Sequence, residues 1–151
     1  MKRIFAVIFI FAVLAQGCTS NNTFQEFESI SSSSWNDNDT ITFFPEIKDI
    51  DKKYDIYIAV RYDKSYEFSN LWLKVYGLSD DDFERIDVPL FKKDGSPYGK
   101  GLLSNYTVQA GYLKAYQFKK SGKNSIRFVQ NMRKTPITGI LDIGFIIKES
   151  K

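Results

Sequence analysis

The chain has 151 residues, a net charge of +3, 43% hydrophobic and 16% aromatic content, an apolar share that belongs to one folded domain rather than to a disordered chain. It contains no histidine, which excludes a histidine general base, a histidine-based triad and any histidine-ligated metal. Its single cysteine excludes an internal disulfide and a cysteine-rich metal cluster.

Lys2 and Arg3 precede an unbroken apolar run over residues 4–15, followed by Gln16, Gly17 and Cys18. A membrane-spanning helix needs about 20 apolar residues, so this run reads as an export signal peptide over 1–17. The one cysteine stands where a bacterial lipoprotein signal places the thiol that receives diacylglycerol, and the small residues Ala15 and Gly17 leave the backbone open to the peptidase. The plainer alternative is a free cysteine just past an ordinary cleavage site. With Cys18 acylated, palmitate among the chains, the membrane is the first partner: each buried CH₂ contributes about 0.8 kcal/mol, and two or more chains anchor stably. Cleavage also removes Lys2 and Arg3 from a chain of net charge +3. No polybasic surface is left, and nucleic acid is not an expected partner. Thr19, rather than an Asp, follows the cysteine and points to the outer membrane. The uncharged Ser20, Asn21, Asn22 and Thr23 point to its periplasmic face, with the cell surface as the alternative.

Residues 18–34 read as the lipidated cysteine and a flexible linker, rich in Ser and Asn. Sixteen flexible residues span roughly 22 Å. Phe24, Phe27 and Ile30 have the three-residue spacing of a brief helical turn, which the serine run over 31–34 weakens.

From Trp35 onward the texture changes to short alternating apolar runs. Strands are predicted over 40–44, 54–62, 71–76, 84–90, 111–118, 125–132 and 140–148, because bulky β-formers recur at every second position there. Turn-forming segments containing Asp, Gly, Pro and Asn separate them. No long helix is predicted. The expected fold is all-β, a two-sheet antiparallel β-sandwich over 35–148, immunoglobulin-like or jelly-roll-like, preceded by the signal peptide and tether.

Each motif with chemical potential has a plainer reading beside it. Asp80-Asp81-Asp82 and Asp37-Asn38-Asp39 supply oxygens for calcium, but adjacent carboxylates cannot all face one ion and no ligand ladder follows, so solvated turns are expected and no metal or cofactor. Asp55, Asp87 and Asp142 are carboxylates within strands, the raw material of glycoside hydrolysis; alternation puts Asp142 on the solvent face, and no enzyme is expected. Gly99-Lys100-Gly101 lacks the spacing and the following helix of a phosphate-binding loop. Trp35, Trp72, Tyr76, Tyr98, Tyr112 and Tyr116 either fill the sandwich or form an aromatic platform for sugar or protein. Asp39-Thr40-Ile41 matches a short O-glycosylation pattern, or lies within a strand.

An ordered set of segments is more specific. Cys18 is followed by Tyr54-Asp55-Ile56-Tyr57 and Arg61, then by Tyr66-Glu67-Phe68-Ser69-Asn70-Leu71-Trp72-Leu73. Next come Gly95, Tyr98-Gly99-Lys100-Gly101-Leu102, Phe118, Ser121-Gly122 and Gln130-Asn131-Met132-Arg133. The last is Thr138-Gly139-Ile140-Leu141-Asp142-Ile143-Gly144. Over roughly residues 54–147 this resembles the GldH-type gliding-motility lipoproteins of Bacteroidetes. Leu103 departs from the pattern, standing where a third glycine is common.

The resemblance implies an envelope lipoprotein of the gliding machinery, linked to type IX secretion, with a structural or assembly role and other gliding or secretion lipoproteins as partners. It implies no catalysis. The polar and aromatic members Arg61, Tyr66, Ser69, Asn70, Trp72, Tyr98, Lys100, Gln130 and Arg133 form the expected interaction surface. The competing reading has Asn70 and Gln130 bonding loop backbone and Arg133 pairing with Asp142. A glycan-binding module using exposed aromatics is the alternative function.

Overall fold

β-branched and aromatic residues at every second position make one face of each strand apolar, and two such faces bury each other. The computed structural model describes residues 22–151; the signal peptide expected over 1–17 and the lipidation site expected at Cys18 lie outside the described residues. In chain order the strands are β1 (Asn22–Ser29), β2 (Ser34–Trp35), β3 (Ile41–Phe43), β4 (Glu46–Ile47), β5 (Tyr54–Asp63), β6 (Asn70–Tyr76) and β7 (Glu84–Pro89). They continue with β8 (Lys100–Leu102), β9 (Asn105–Tyr116), β10 (Gly122–Lys123), β11 (Ile126–Gln130), β12 (Ile137–Thr138) and β13 (Ile140–Glu149). One 3-10 turn, Ser31–Ser33, interrupts them.

A five-stranded sheet runs β1-β13-β5-β9-β8 and a four-stranded sheet runs β3-β11-β6-β7, with short pairs β10-β4 and β12-β2 beside them. Every pairing is antiparallel. Ile56, Ile58, Val60 and Tyr62 of β5 and Ile143, Phe145 and Ile147 of β13 join Leu71, Leu73, Val75, Ile126 and Phe128 in one buried cluster. Phe43, Phe128 and Phe145 lie at its heart with ring centroids 5.6–5.7 Å apart. Burying each such side chain contributes about 1.5–3 kcal/mol, so a sandwich of this size holds together without a disulfide. The all-β sandwich expected from the alternation is the fold observed.

The linker expected over 18–34 needs correction. β1 occupies Asn22–Ser29 and pairs with β13 from Asn22 opposite Lys148 to Ser29 opposite Asp142. The three-residue spacing of Phe24 and Phe27, which resembles a helical turn, puts the two rings on opposite faces of a strand. Phe24 turns inward to Phe145, at 6.1 Å between centroids. Phe27 turns outward onto Gly144. The chain then continues through Ile30, whose N–H donates to the Leu141 carbonyl at 2.8 Å.

β9 also begins earlier than the predicted 111–118. Tyr106, Val108, Ala110 and Tyr112 alternate inward, but two bulges opposite Ile56 and Tyr54 then break the register. Ala115, in the second bulge, has φ 52°, so the predicted stretch covers the distorted half of the strand and leaves out the regular one.

Candidate functional site

The outer face of the four-stranded sheet is built on β6, whose alternate residues Trp72, Lys74 and Tyr76 point away from the core. β7 lies beside it with Arg85 opposite Lys74 and Asp87 opposite Trp72. This register stacks cations on aromatic rings: the Arg85 guanidinium lies 4.9 Å from the Trp72 ring, and Arg127 of β11 lies 4.8 Å from Tyr76. Lys74 sits 4.8 Å from Phe83. Each such contact at an exposed site is worth about 0.5–1 kcal/mol.

After β11 the chain bends back over Trp72. The Asn131 N–H donates to the Trp72 carbonyl at 2.8 Å, and the Trp72 N–H reaches the Met132 sulfur at 3.3 Å. A groove of about 390 Å³ results, lined by Phe68, Asn70, Trp72, Arg85, Asn131, Met132 and Arg133. It therefore gathers three of the expected surface residues, Asn70, Trp72 and Arg133, around two guanidinium groups. No carboxylate lines it; the nearby Asp87 accepts from Asn70 Nδ2 at 2.7 Å. A second hollow of about 460 Å³ adjoins it through Phe68 and is lined by Tyr66, Ser69, Phe91 and three lysines, Lys64, Lys92 and Lys93.

The remaining expected surface residues do not join this face. Gln130 needs correction: it points inward on β11, is 1% exposed, and its Oε1 accepts from the Met132 N–H at 2.8 Å. Its Nε2 is buried without a partner. Tyr66 is likewise 4% exposed, its hydroxyl donating to the Asn70 carbonyl at 2.7 Å. Burial disfavours its phenolate and raises its pKa above the ordinary tyrosine value. The Ser69 carbonyl accepts from Leu90 and Phe91 at 2.8 and 2.9 Å, fastening the loop to the end of β7. Tyr98 is 52% exposed with Lys92 over its ring, and Lys100 lies on β8 opposite Thr107, both away from Trp72.

Arg61 lies on the other sheet altogether. Its guanidinium meets Asp142 at 3.0 Å across the β5-β13 pairing, and Ser29 donates to the same carboxylate at 2.6 Å. Asp142 is on the outer face, as alternation requires, yet is only 7% exposed because β1 and Arg61 cover it. Its cation is thus Arg61 and not Arg133. Asp55 stands on this same sheet, its carboxylate held below the usual range by the Ala115 N–H and then the Ser150 hydroxyl. Asp87 belongs to the other sheet, so the three strand carboxylates do not converge.

The aromatic candidates divide in the same way. Trp35 is 1% exposed, with Nε1 donating to the Asp39 carbonyl at 2.8 Å. Tyr112 and Tyr116 pack against the core from β9, and Tyr112 donates to Glu84 across the gap between the sheets. Among the described residues no group of three or more acidic or thiol side chains is placed to hold a metal ion. Sequence reasoning missed Arg85; the alternation of β7 places it outside, but only the β6-β7 register brings it over Trp72.

Glycines explain the last segment. At Gly139, φ is 85° and a Cβ would lie 2.3 Å from the Tyr66 nitrogen. At Gly144 a Cβ would lie 2.5 Å from the Phe27 ring. The run from Gly139 to Gly144 is therefore a packing element, with Asp142 as its ion-pair partner for Arg61.

Comparison with known proteins places these features in a family. The family model of the GldH lipoprotein matches residues 22–147. The gliding motility lipoprotein GldH of Flavobacterium johnsoniae is 26% identical over 95% of this chain and 94% of its own length. A gliding motility lipoprotein GldH homolog of Christiangramia forsetii is 28% identical over 99% of both chains. Among solved structures, an uncharacterized protein of Listeria monocytogenes superposes with a TM-score of 0.41 at 15% identity, covering 82% of this chain and 11% of that one, a likeness too slight to bear on function. The match over 22–147 begins with the strand that replaces the expected linker and runs almost to the end of β13: the chain belongs to the GldH lipoprotein family.

Proposed function

We propose that this chain is an outer-membrane lipoprotein, anchored through acyl groups on Cys18 at the periplasmic face, that serves the gliding machinery and its linked type IX secretion as a structural or assembly component. The supporting observation is the family match over residues 22–147, within which several polar and glycine residues act as packing ties. Gly139, Gly144, Tyr66, Gln130 and the Arg61–Asp142 pair hold strands together and do not converge on a reactive centre. That arrangement supports the reading of a non-catalytic role, and on this reading other envelope proteins are the partners.

Because β1 starts at Asn22, the chain from Cys18 reaches at most about 14 Å, four residues at roughly 3.5 Å each. The domain is then held close to the membrane, inside even the roughly 22 Å that a sixteen-residue flexible linker spans on average. On the alternative reading, a glycan module, Trp72 is the half-buried aromatic beside a groove. Arg85 covers one face of that indole, Arg127 lies over the neighbouring Tyr76, and Trp35, Tyr112 and Tyr116 are turned to the core.

The deciding experiment is deletion of the gene in its host, with complementation by the native chain, scoring spreading and export of secreted proteins. Loss of either, restored on complementation, supports the proposal. A deletion strain that spreads and exports like its parent, or glycan binding abolished by Trp72→Ala, overturns it.

A further inference from the structure

The two large sheets have four margins, and these are unequally defended. An open margin presents unpaired N–H and C=O groups, which proteins usually guard with charge, proline, bulges or brevity. β1 carries Glu26 and Glu28; β7 carries Glu84, Arg85 and Asp87 and ends at Pro89; β3 has three residues, with Pro45 soon after. β9 differs. Its partner β8 covers only Asn105, Tyr106 and Thr107 of a strand of 12 residues. From Asn105 to Leu113 there is neither a charged residue nor a proline.

The direction of its backbone groups follows from the turn. Leu103 and Ser104 join β8 to β9, so Leu102 and Asn105 are a hydrogen-bonded pair and the sense alternates from there. Asn105 and Thr107 face β8; Tyr106, Val108 and Ala110 face β5; Gln109 and Gly111 face the open side. Beyond Gly111 the first bulge ends the regular stretch. Beside it lies a groove of about 250 Å³ between the two sheets, lined by Ile58, Ile86, Val88, Ala110 and Tyr112, with Asp87 and Gly111 completing the lining. The Tyr112–Glu84 hydrogen bond bounds one end of this gap.

We propose that residues 108–112 form a strand-addition site, which takes an extended, uncharged segment of a partner protein with an aliphatic side chain directed into that groove. The proposal rests on the reading of the chain as an assembly component. Another polypeptide backbone satisfies donors and acceptors alternating at this spacing, and the aliphatic Ile58, Ile86 and Val88 of the lining favour an apolar residue at every second position. The absence of charge over 105–113 matches a neutral strand. Pairing with the β9 of a second copy meets a block in the register that matches the outward groups. With Gln109 opposite the copy's Gly111, the copy's Leu113 falls opposite Thr107, where Lys100 already sits.

The test uses the full chain purified in detergent, the peptide acetyl-Thr-Val-Thr-Val-Thr-amide, and amide hydrogen exchange resolved by residue. Saturating peptide slows exchange at Gln109 and Gly111 by roughly tenfold. Gln109→Pro, which removes an outward N–H, abolishes the slowing, whereas Gln109→Lys, which keeps it, does not. A peptide methylated on alternate nitrogens is the second control, and gives no slowing even if Gln109→Pro proves unfolded. No slowing at millimolar peptide, slowing indifferent to methylation, or protection without peptide that grows with protein concentration overturns the proposal. These readouts do not depend on anchoring or motility, so the two readings fail separately.

Discussion

Phe27 of β1 lies over Gly144 of β13 so closely that a Cβ at the glycine would stand 2.5 Å from the ring. A strand joined to the sheet along one side only is held there by side-chain packing as well as by its ladder, and this contact is its outer clamp. Gly144→Ala is expected to destabilise the fold by about 1–3 kcal/mol through overpacking, with faster amide exchange confined first to β1. Phe27→Ala makes room for the new methyl, so the double variant costs less than the two single changes together. Urea unfolding of all four proteins checks this; strict additivity would refute the contact.

Arg61 and Asp142 form an ion pair whose two ends differ in exposure, 47% for the arginine side chain and 10% for the carboxylate. Arg61→Met leaves the carboxylate covered by β1 with only Ser29 as donor. The expected loss is about 1–2 kcal/mol, below that of a fully buried pair because the arginine is partly screened by water. Thermal unfolding of Arg61→Met beside Arg61→Met/Asp142→Leu measures it, the second change relieving the first.

Gln130 is a strut rather than a contact residue. Gln130→Ala removes the acceptor for the Met132 N–H and is expected to cost about 1–3 kcal/mol. Its effect on any partner should follow from lost stability alone. Partner binding weakened in a Gln130→Ala protein of unchanged urea midpoint would return the residue to the interaction surface.

Burial raises the pKa of Tyr54, Tyr62, Tyr66, Tyr112 and Tyr116, with the Glu84 hydrogen bond adding to the effect at Tyr112. The folded chain therefore favours their neutral forms. That stabilisation is complete below the ordinary tyrosine value near pH 10 and is lost as pH climbs past it. Phenolate absorbance is expected to show these five of nine tyrosines resisting ionisation until alkaline unfolding releases them together. Smooth titration of every tyrosine near pH 10 in folded protein would contradict the burial.

Cys18→Ala is expected to leave the sandwich intact, since the folded strands begin at Asn22, and to free the protein from envelope membranes. Fractionation and circular dichroism of the variant report the two effects independently. Persistence in the membrane pellet would rule out the acyl anchor.

Period-two alternation made the strands of the sandwich legible wherever a strand is regular and buried on one side. β5, β6 and β13 are such strands, because each residue's burial there depends mainly on parity. β1 was hidden by its composition: at a sheet margin only Phe24 and Phe27 are half-buried, and they serve opposite faces. The first half of β9 alternates regularly and was still missed: its inward residues are only half-buried and dwindle from Tyr106 to Ala110 before Gly111. Leu103 shows the same limit, since the glycine expected at that place suits its φ of 61°, yet leucine occupies it 92% exposed.

What the order of residues determined alone was chemistry and class: no histidine, one cysteine behind an apolar run, a β-sandwich, and the family. Tertiary structure decided which side chains meet. Register put Arg85 over Trp72 and gave Asp142 to Arg61, and sheet order left β9 with an open edge. These depend on pairing between residues distant in sequence, and alternation within one strand fixes which face a side chain takes but not what lies across from it.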